Sequence, residues 1–506
     1  MKKSHTFHRG PMLLAGCAAA ALCVGASPAR ADRDPLQPNT LIVSTTTYDN
    51  TTGAIAKLRV GTTLPSTATS TAQAVAGNNY VTTWNNASVD PSFGVTSAIT
   101  LLEIDPVTNA VQGKIKVPPG QVVTSFSSKS EGSLHVTGTA NPVLTLVGYA
   151  GAGVGAIDVS NSNAVPGQDP TDPVSFGFGA NYAFPRTIVA MDAHGKFSYT
   201  PTIAYGGDNG RGALLGSNGL YYAVGNSNDG DASTFGPGNG TNPDVTETTG
   251  VEVVKPINAA NVQVKLPAGN SAEIDPLLQF TVKGKLDKPG KDNNYRGIAE
   301  YRGALYFTKG SGSNGIDTLY TVSPLPTVAS APQATISIVP GFPTDFAKTT
   351  GGNFTPFGIF FANPTTLYVS DEGTGNATDA SAHVGIEKWS LVNGTWVLDY
   401  VLQNGLKTTD TNLTGPAGQY PDVTTVGLRN LTGAVNSDGM VTLWATTATT
   451  SASGDPGADP NKVVRITDVL SAQTATPAVQ AEAFQAVIGP TYGTVYRGVA
   501  FVGPAQ

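Results

Sequence analysis

Five arginines head similar short phrases in this chain: Arg186 after Pro185, Arg211 in Asn209-Gly210-Arg211, Arg296 in Tyr295-Arg296-Gly297, Arg429 in Leu428-Arg429-Asn430, and Arg497 in Tyr496-Arg497-Gly498. Arginine stays charged, and its planar fork binds carboxylate or phosphate through two parallel bonds, so residues of this kind brought together would form an anion site. The same residues also admit an architectural role, each tying its segment to the next through carbonyls or an acidic neighbour. Proton transfer would fall to His383 or Tyr295. If Arg211, Arg296 and Arg429 neutralised a uronate carboxylate, either residue is a candidate base for removing the adjacent C–H proton. His383 is the stronger of the histidines because it follows the acidic pair Asp371-Glu372. His135 and His194 bring no triad partner and no metal spacing.

Oxygen-rich loops raise a metal question. Asn226, Asn228, Asp229 and Asp231 form one cluster, and Asp371 with Glu372 forms another. Calcium is the ion such flexible loops take, with Asp229, Asp231, Asp371 and Glu372 as its candidate ligands. Neither cluster has EF-hand spacing, and Asn/Asp/Gly runs also serve as plain turns. No other cofactor is expected. The chain contains no Gly-x-Ser-x-Gly elbow, no Walker loop and no His-Glu-x-x-His.

The elements that must position these residues are strands. Short β-branched runs recur, among them Thr40-Leu41-Ile42-Val43-Ser44, Ile99 to Ile104, Val143 to Val147 and Thr366 to Ser370. Tight-turn chemistry separates them at Asp192-Ala193-His194-Gly195, Val392-Asn393-Gly394-Thr395 and Ser437-Asp438-Gly439. A degenerate repeat runs through the chain. Tyr295-Arg296-Gly297-Ile298-Ala299-Glu300 with Gly303 to Thr308 is its clearest copy, and Pro356-Phe357-Gly358-Ile359-Phe360-Phe361 with Thr366 to Asp371 is another. A truncated copy, Tyr496 to Phe501, ends the chain. Each unit holds about four strands, the content of one propeller blade. The expected fold is therefore all-β: a single β-propeller of about seven four-stranded antiparallel blades. Its orphan last strand, 495–502, would pair with 40–47 and close the ring, because closure leaves only short unpaired edges. Residues entering successive innermost strands would then converge on one rim of the axial channel.

The phrase from Pro356 to Asp371, followed by Gly385-Ile386-Glu387-Lys388-Trp389-Ser390-Leu391, resembles the NHL/YVTN class of propeller repeat. The ensemble of Gly148-Tyr149, Pro185-Arg186, Asn209-Gly210-Arg211 and Tyr496-Arg497-Gly498 is similar to a group of secreted bacterial propellers. The resemblance covers most of 95–506 and its motifs are structural. It implies where a site lies; the class includes lyases, hydrolases, lactonases and binding scaffolds, so it does not imply which chemistry occurs there.

Location and charge complete the reading. Lys2, Lys3 and Arg9, then an apolar stretch to Ala26 and Ala29-Arg30-Ala31, read as a signal peptide over 1–31, leaving a propeller domain over 32–506. A second cut, ahead of Cys17 in Leu14-Ala15-Gly16-Cys17, would make a lipoprotein, although its apolar region is short. Cleavage after Ala31 removes both cysteines and four basic residues, leaving 25 basic against 36 acidic residues, a net charge of −11. That balance argues against nucleic acid as a partner. No transmembrane span is expected, and the protein is expected to be a secreted or periplasmic monomer. Two functions remain open. One is a binding propeller taking an anionic small molecule or acidic glycan at the channel through Arg186, Arg211, Arg296, Arg429 and Arg497. The other is a polysaccharide lyase or hydrolase acting on acidic glycans.

Overall fold

A computed structural model describes the chain from Pro35 to Pro504 apart from residues 58–62, 68–69, 74–93, 158, 160–183, 203, 206–207, 227–249, 265–266, 268, 276–280, 283–284, 287–293, 311–314, 348–353, 379–382, 417, 478 and 480–481. Every expected strand forms. The runs named above become Thr40–Thr47, Ile99–Ile104, Val143–Ala150 and Thr366–Asp371. Between Gly385–Val392 and Thr395–Leu402 the turn residues Asn393 and Gly394 take φ of +50° and +82°. Two successive positive φ values define the hairpin turn whose twist matches the flanking strands, and Asn-Gly is the pair that adopts them most readily.

The strands assemble into six blades. Their innermost strands, in ring order, are Thr494–Val502, the interrupted pair Val122–Ser125 and His135–Thr137, Gly210–Leu215, Ile298–Tyr301, Pro356–Asn363, and Val423–Val435. Blade 1 is composite. Its innermost strand is the last of the chain, and the next is the first, Thr40–Thr47, in antiparallel register Leu41 to Phe501 and Val43 to Val499. The two chain termini therefore close the ring, as expected.

The blade number is lower than the seven expected. The spacing between repeat heads includes connecting segments as well as blade strands. Among the described residues, the hairpins at Thr63–Gln73 and Thr281–Leu286 pair only with themselves and belong to no blade.

Each blade buries both faces against its neighbours, so the core consists of apolar seams. Ile42, Leu101 and Ala500 meet Leu144, Leu146 and Val189 between blades 1 and 2. Leu41, Val43 and Leu102 meet Trp444, Val463 and Val487 between blades 6 and 1. The other four seams are built in the same way. A polar clasp crosses the ring near the head of most innermost strands. A Ser or Thr of one blade's second strand donates to a carbonyl of the next blade's innermost segment. These are Ser44 to Gly132 at 2.7 Å, Thr145 to Ala213 at 2.5 Å, Thr308 to Phe357 at 2.7 Å, Ser370 to Arg429, and Thr446 to Arg497 at 3.3 Å. At the junction of blades 3 and 4 an arginine does this work: Arg211 donates to the carbonyl of Tyr295 at 2.7 Å. Among the described residues no helix is long and apolar enough to cross a membrane.

Candidate functional site

The ring brings four of the five arginines to the heads of innermost strands, but it gives them different surroundings. Arg497 donates to the carbonyls of Ser125, Phe126 and Ser128 on blade 2 and, at 3.1 Å, to Thr46 Oγ1. Arg211 holds Ser130 Oγ at 2.8 Å, Asn294 Oδ1, and the Tyr295 carbonyl. Burial, with Arg296 nearby, draws its pKa down to about 10. Both residues fit the architectural reading. Arg186 does not lie on the rim: it sits on the third strand of blade 2, stacked over the Tyr149 ring at 5.0 Å and bonded to the Asp208 carbonyl. Its phrase mimics the others in sequence, but pairing places it two strands out from the axis.

Arg296 and Arg429 are the pair that converge. Both bind the carboxylate of Glu372, which follows the second strand of blade 5: Arg296 Nη1 lies 3.0 Å from Oε1 and Arg429 Nε lies 3.3 Å from Oε2. Arg296 also lies over the ring of Phe357 at 5.6 Å, so the aromatic copy of the repeat head braces the guanidinium of the preceding blade. These three charged residues line a cavity of about 290 Å³ together with Lys129, which comes from blade 2. Burial pushes the Glu372 carboxyl up, but Arg296, Arg429 and Lys129 together hold it below the usual carboxylate range. Burial draws Arg429 down. Asp317 also lines the cavity, already paired with Lys309 at 2.8 Å. The cavity is therefore lined by three basic groups, from blades 2, 4 and 6, and by two carboxylates, Glu372 shared between the arginines and Asp317 paired with Lys309.

Lys129 carries no repeat signature. The interrupted first strand of blade 2 has lost the arginine phrase, and Glu131-Gly132 stands in its place; Gly132 accepts the clasp from Ser44 as Arg429 accepts it from Ser370. That conserved clasp position is the one sequence-level signal that could have pointed to the 128–132 loop.

The proton-transfer candidates lie apart. Tyr295 is wholly enclosed, its ring edge-on to Phe307 and Tyr320 at 4.6 and 5.5 Å. His383 Nδ1 lies 2.5 Å from Glu387 Oε1, whose other oxygen accepts the Trp389 indole N–H at 2.9 Å. Hydrogen bonding to Glu387 raises the His383 pKa, and burial raises Glu387 to about 7. His383 does not line the cationic cavity. Of the calcium candidates, Asp371 directs its oxygens at the backbone and hydroxyl of Thr355 and at the Gly373 N–H. Glu372 faces two guanidiniums. Asp229 and Asp231 lie outside the described residues. His135 is half-buried on the interrupted strand of blade 2, where loss of hydration lowers its pKa to about 4, and His194 occupies the turn after Asp192.

Beside the cavity, the loop after Met440–Thr450 buries two carboxyls. Asp459 Oδ1 accepts from Ser451, Ser453 and Tyr420. Burial and the neighbouring Asp459 raise Asp455 to about 7. A carboxyl raised in the folded state adds stability that is complete below its unfolded pKa near 3.8 and is lost as pH rises through about 7. Asp455→Asn keeps an acceptor for the Gly457 N–H, which lies 3.1 Å from Oδ1. The variant is expected to gain on the order of 2 kcal/mol over the parent at pH 8 and nothing at pH 4. Urea unfolding at the two pH values measures the difference, and an equal offset at both would refute the assignment.

The chain is thus a six-bladed β-propeller with a cationic cavity at the head of its innermost strands. No family model and no curated protein matches it. Among solved structures it is similar, at 7% identity and a TM-score of 0.27, to a chain of a Saccharomyces cerevisiae Dbp5 variant complex with Nup159, Gle1, IP6 and ADP, covering 89% of this chain and 86% of that one. It is similar to a mutant Synechocystis apocarotenoid oxygenase at 11% identity and a TM-score of 0.21, over 78% and 59% of the two chains. It is also similar to an ulvan lyase of polysaccharide lyase family PL25 at 10% identity and a TM-score of 0.27, over 87% and 94%. None of the three bears on the chemistry of this chain.

Proposed function

We propose that this protein is an exported binding propeller that takes a carboxylate-bearing ligand, an acidic sugar or small organic acid, in the cavity of Lys129, Arg296 and Arg429. The observation that carries this reading is the convergence of Arg296 and Arg429, from two blades, on a single carboxylate in a cavity that Lys129 of a third blade also lines. Glu372 engages Arg429 through Nε and Arg296 through Nη1, and both guanidiniums line the cavity. Placing this positive charge in a protein of net charge −11 after removal of the leader focuses the field on the cavity. Arg211, Arg497 and Arg186 serve the site indirectly by fixing the blades that carry it. The leader, cleaved ahead of Asp32, would deliver the protein outside the cytoplasm as a monomer related to the NHL/YVTN class.

Titration calorimetry with oligogalacturonate and oligoglucuronate is the test. Arg296→Ala is expected to weaken binding at least about tenfold, since charge-assisted bonds are worth about 1.5–3 kcal/mol each. The parent failing to bind either polymer, or the variant binding as well as the parent, would refute the reading. Growth of the absorbance band of unsaturated uronates during incubation would replace it with elimination chemistry.

A further inference from the structure

A second cavity, of about 590 Å³, opens between blades 6 and 1. Its position follows from register. Trp444 pairs with Thr432, three residues beyond Arg429, and stacks on Phe501, four residues beyond Arg497. It therefore lies toward the opposite ends of the innermost strands from the arginines. Its volume falls in the range of small-molecule clefts, roughly 300–1,000 Å³.

The lining is amphipathic and preorganised. Trp444 and Phe501 lie ring on ring, with centroids 5.2 Å apart and planes 14° apart, and Pro106, Val107 and Ile466 continue the apolar wall. Val107 is 79% exposed, a large apolar side chain left uncovered at the mouth. The polar groups are held in place by the protein itself. The Arg465 guanidinium is fixed by the Pro106 carbonyl at 3.0 Å and by Gln485 Oε1 at 3.3 Å. Glu482 accepts from Thr467 at 2.9 Å. One donor has nothing to bind: the Trp444 indole nitrogen is buried and has no acceptor among the described residues, although the residue lines the cavity and is only 3% exposed. A buried donor without an acceptor bears the full cost of its lost hydration, and an acceptor arriving in the cavity would relieve that cost.

We propose that this cavity is a second binding site, one that takes a neutral saccharide unit whose ring face lies on the Val107–Phe501 wall and whose oxygen accepts the Trp444 indole N–H. The chemistry selects this class. Among the described lining residues the charges are Arg465 and Glu482, opposite in sign, so they favour neither an anion nor a cation. An acyl chain would leave the indole N–H unmet. A sugar offers an apolar face together with hydroxyls that both donate and accept. This site is independent of the cationic cavity.

The test is the indole N–H spectrum of full-length protein labelled with ¹⁵N-tryptophan, titrated with neutral trisaccharides of glucose, xylose and galactose and with trigalacturonate. The chain has four tryptophans, and Trp444→Phe assigns the resonance. A neutral trisaccharide is expected to shift the Trp444 signal selectively. Gln485→Ala and Arg465→Ala, both at the cavity edge, should weaken that titration by about fivefold. Arg296→Ala should leave it unchanged. No response of the Trp444 signal to any neutral sugar, a stronger response to trigalacturonate, or insensitivity to both edge variants would each overturn the proposal.

Discussion

Deleting residues 494–506 is expected to abolish cooperative unfolding altogether, leaving a chain that melts without a sharp transition and binds hydrophobic dyes. The innermost strand of blade 1 buries Val495, Tyr496, Val499 and Val502, each 5% exposed or less. At about 1.5–3 kcal/mol per large apolar side chain, their loss removes roughly 6–12 kcal/mol. That is comparable to the whole net stability of an ordinary domain, about 5–15 kcal/mol. The deletion also removes Arg497, which ties Thr46 to three carbonyls of blade 2, and exposes the pairing edge of Thr40–Thr47. Scanning calorimetry of the truncated chain decides the matter: a single sharp endotherm near that of the intact protein would show that the ring holds without its last strand.

Removing Glu372 is expected to have the next largest effect, and one that reveals the site. Glu372→Ala leaves the buried guanidiniums of Arg296 and Arg429 facing each other without their shared counter-ion. Breaking a buried pair by deleting one partner costs about 3–5 kcal/mol, because the remaining charge stays desolvated. If the cavity is an anion site, a carboxylate from solution can take the empty place. Most of the lost stability should then return on adding millimolar malonate or galacturonate, and much less on adding chloride at equal ionic strength. A variant as stable as the parent, or one that no carboxylate restores, would mean that the two arginines do not form a site for anions.

Strand content, turn positions and ring closure were legible in the sequence because each has a local signature: β-branched runs, Asn393-Gly394 between strands, and a last phrase lacking its own partners. Blade number was not, because the spacing of repeat heads counts the connecting segments along with the strands. Of the arginines, Arg211, Arg296, Arg429 and Arg497 were correctly grouped by their place in the repeat. Arg186 shared the phrase without the register, and only pairing with Tyr149 reveals that it belongs to a third strand. The partition among the four followed from neighbours remote in sequence. Arg497 finds carbonyls of a loop more than 360 residues away, whereas Arg429 finds Glu372. Glu372 carried a clue, an acidic residue at the end of a repeat strand, but read alone it suggested a calcium ion, whereas the structure pairs it with two arginines. Trp444 gave no signal at all, since a single tryptophan in an apolar strand looks the same whether or not its nitrogen finds an acceptor.

The pairing of the first strand with the last also sets a clock on biosynthesis. Ser44 and Gly498, which share a hydrogen bond, are 454 residues apart. At about 5–20 residues per second, the ribosome needs roughly 25–90 s to supply the second after the first. During that interval blade 1 is incomplete and its neighbours lack a wall, so a nascent chain stays open until Thr494–Val502 has emerged.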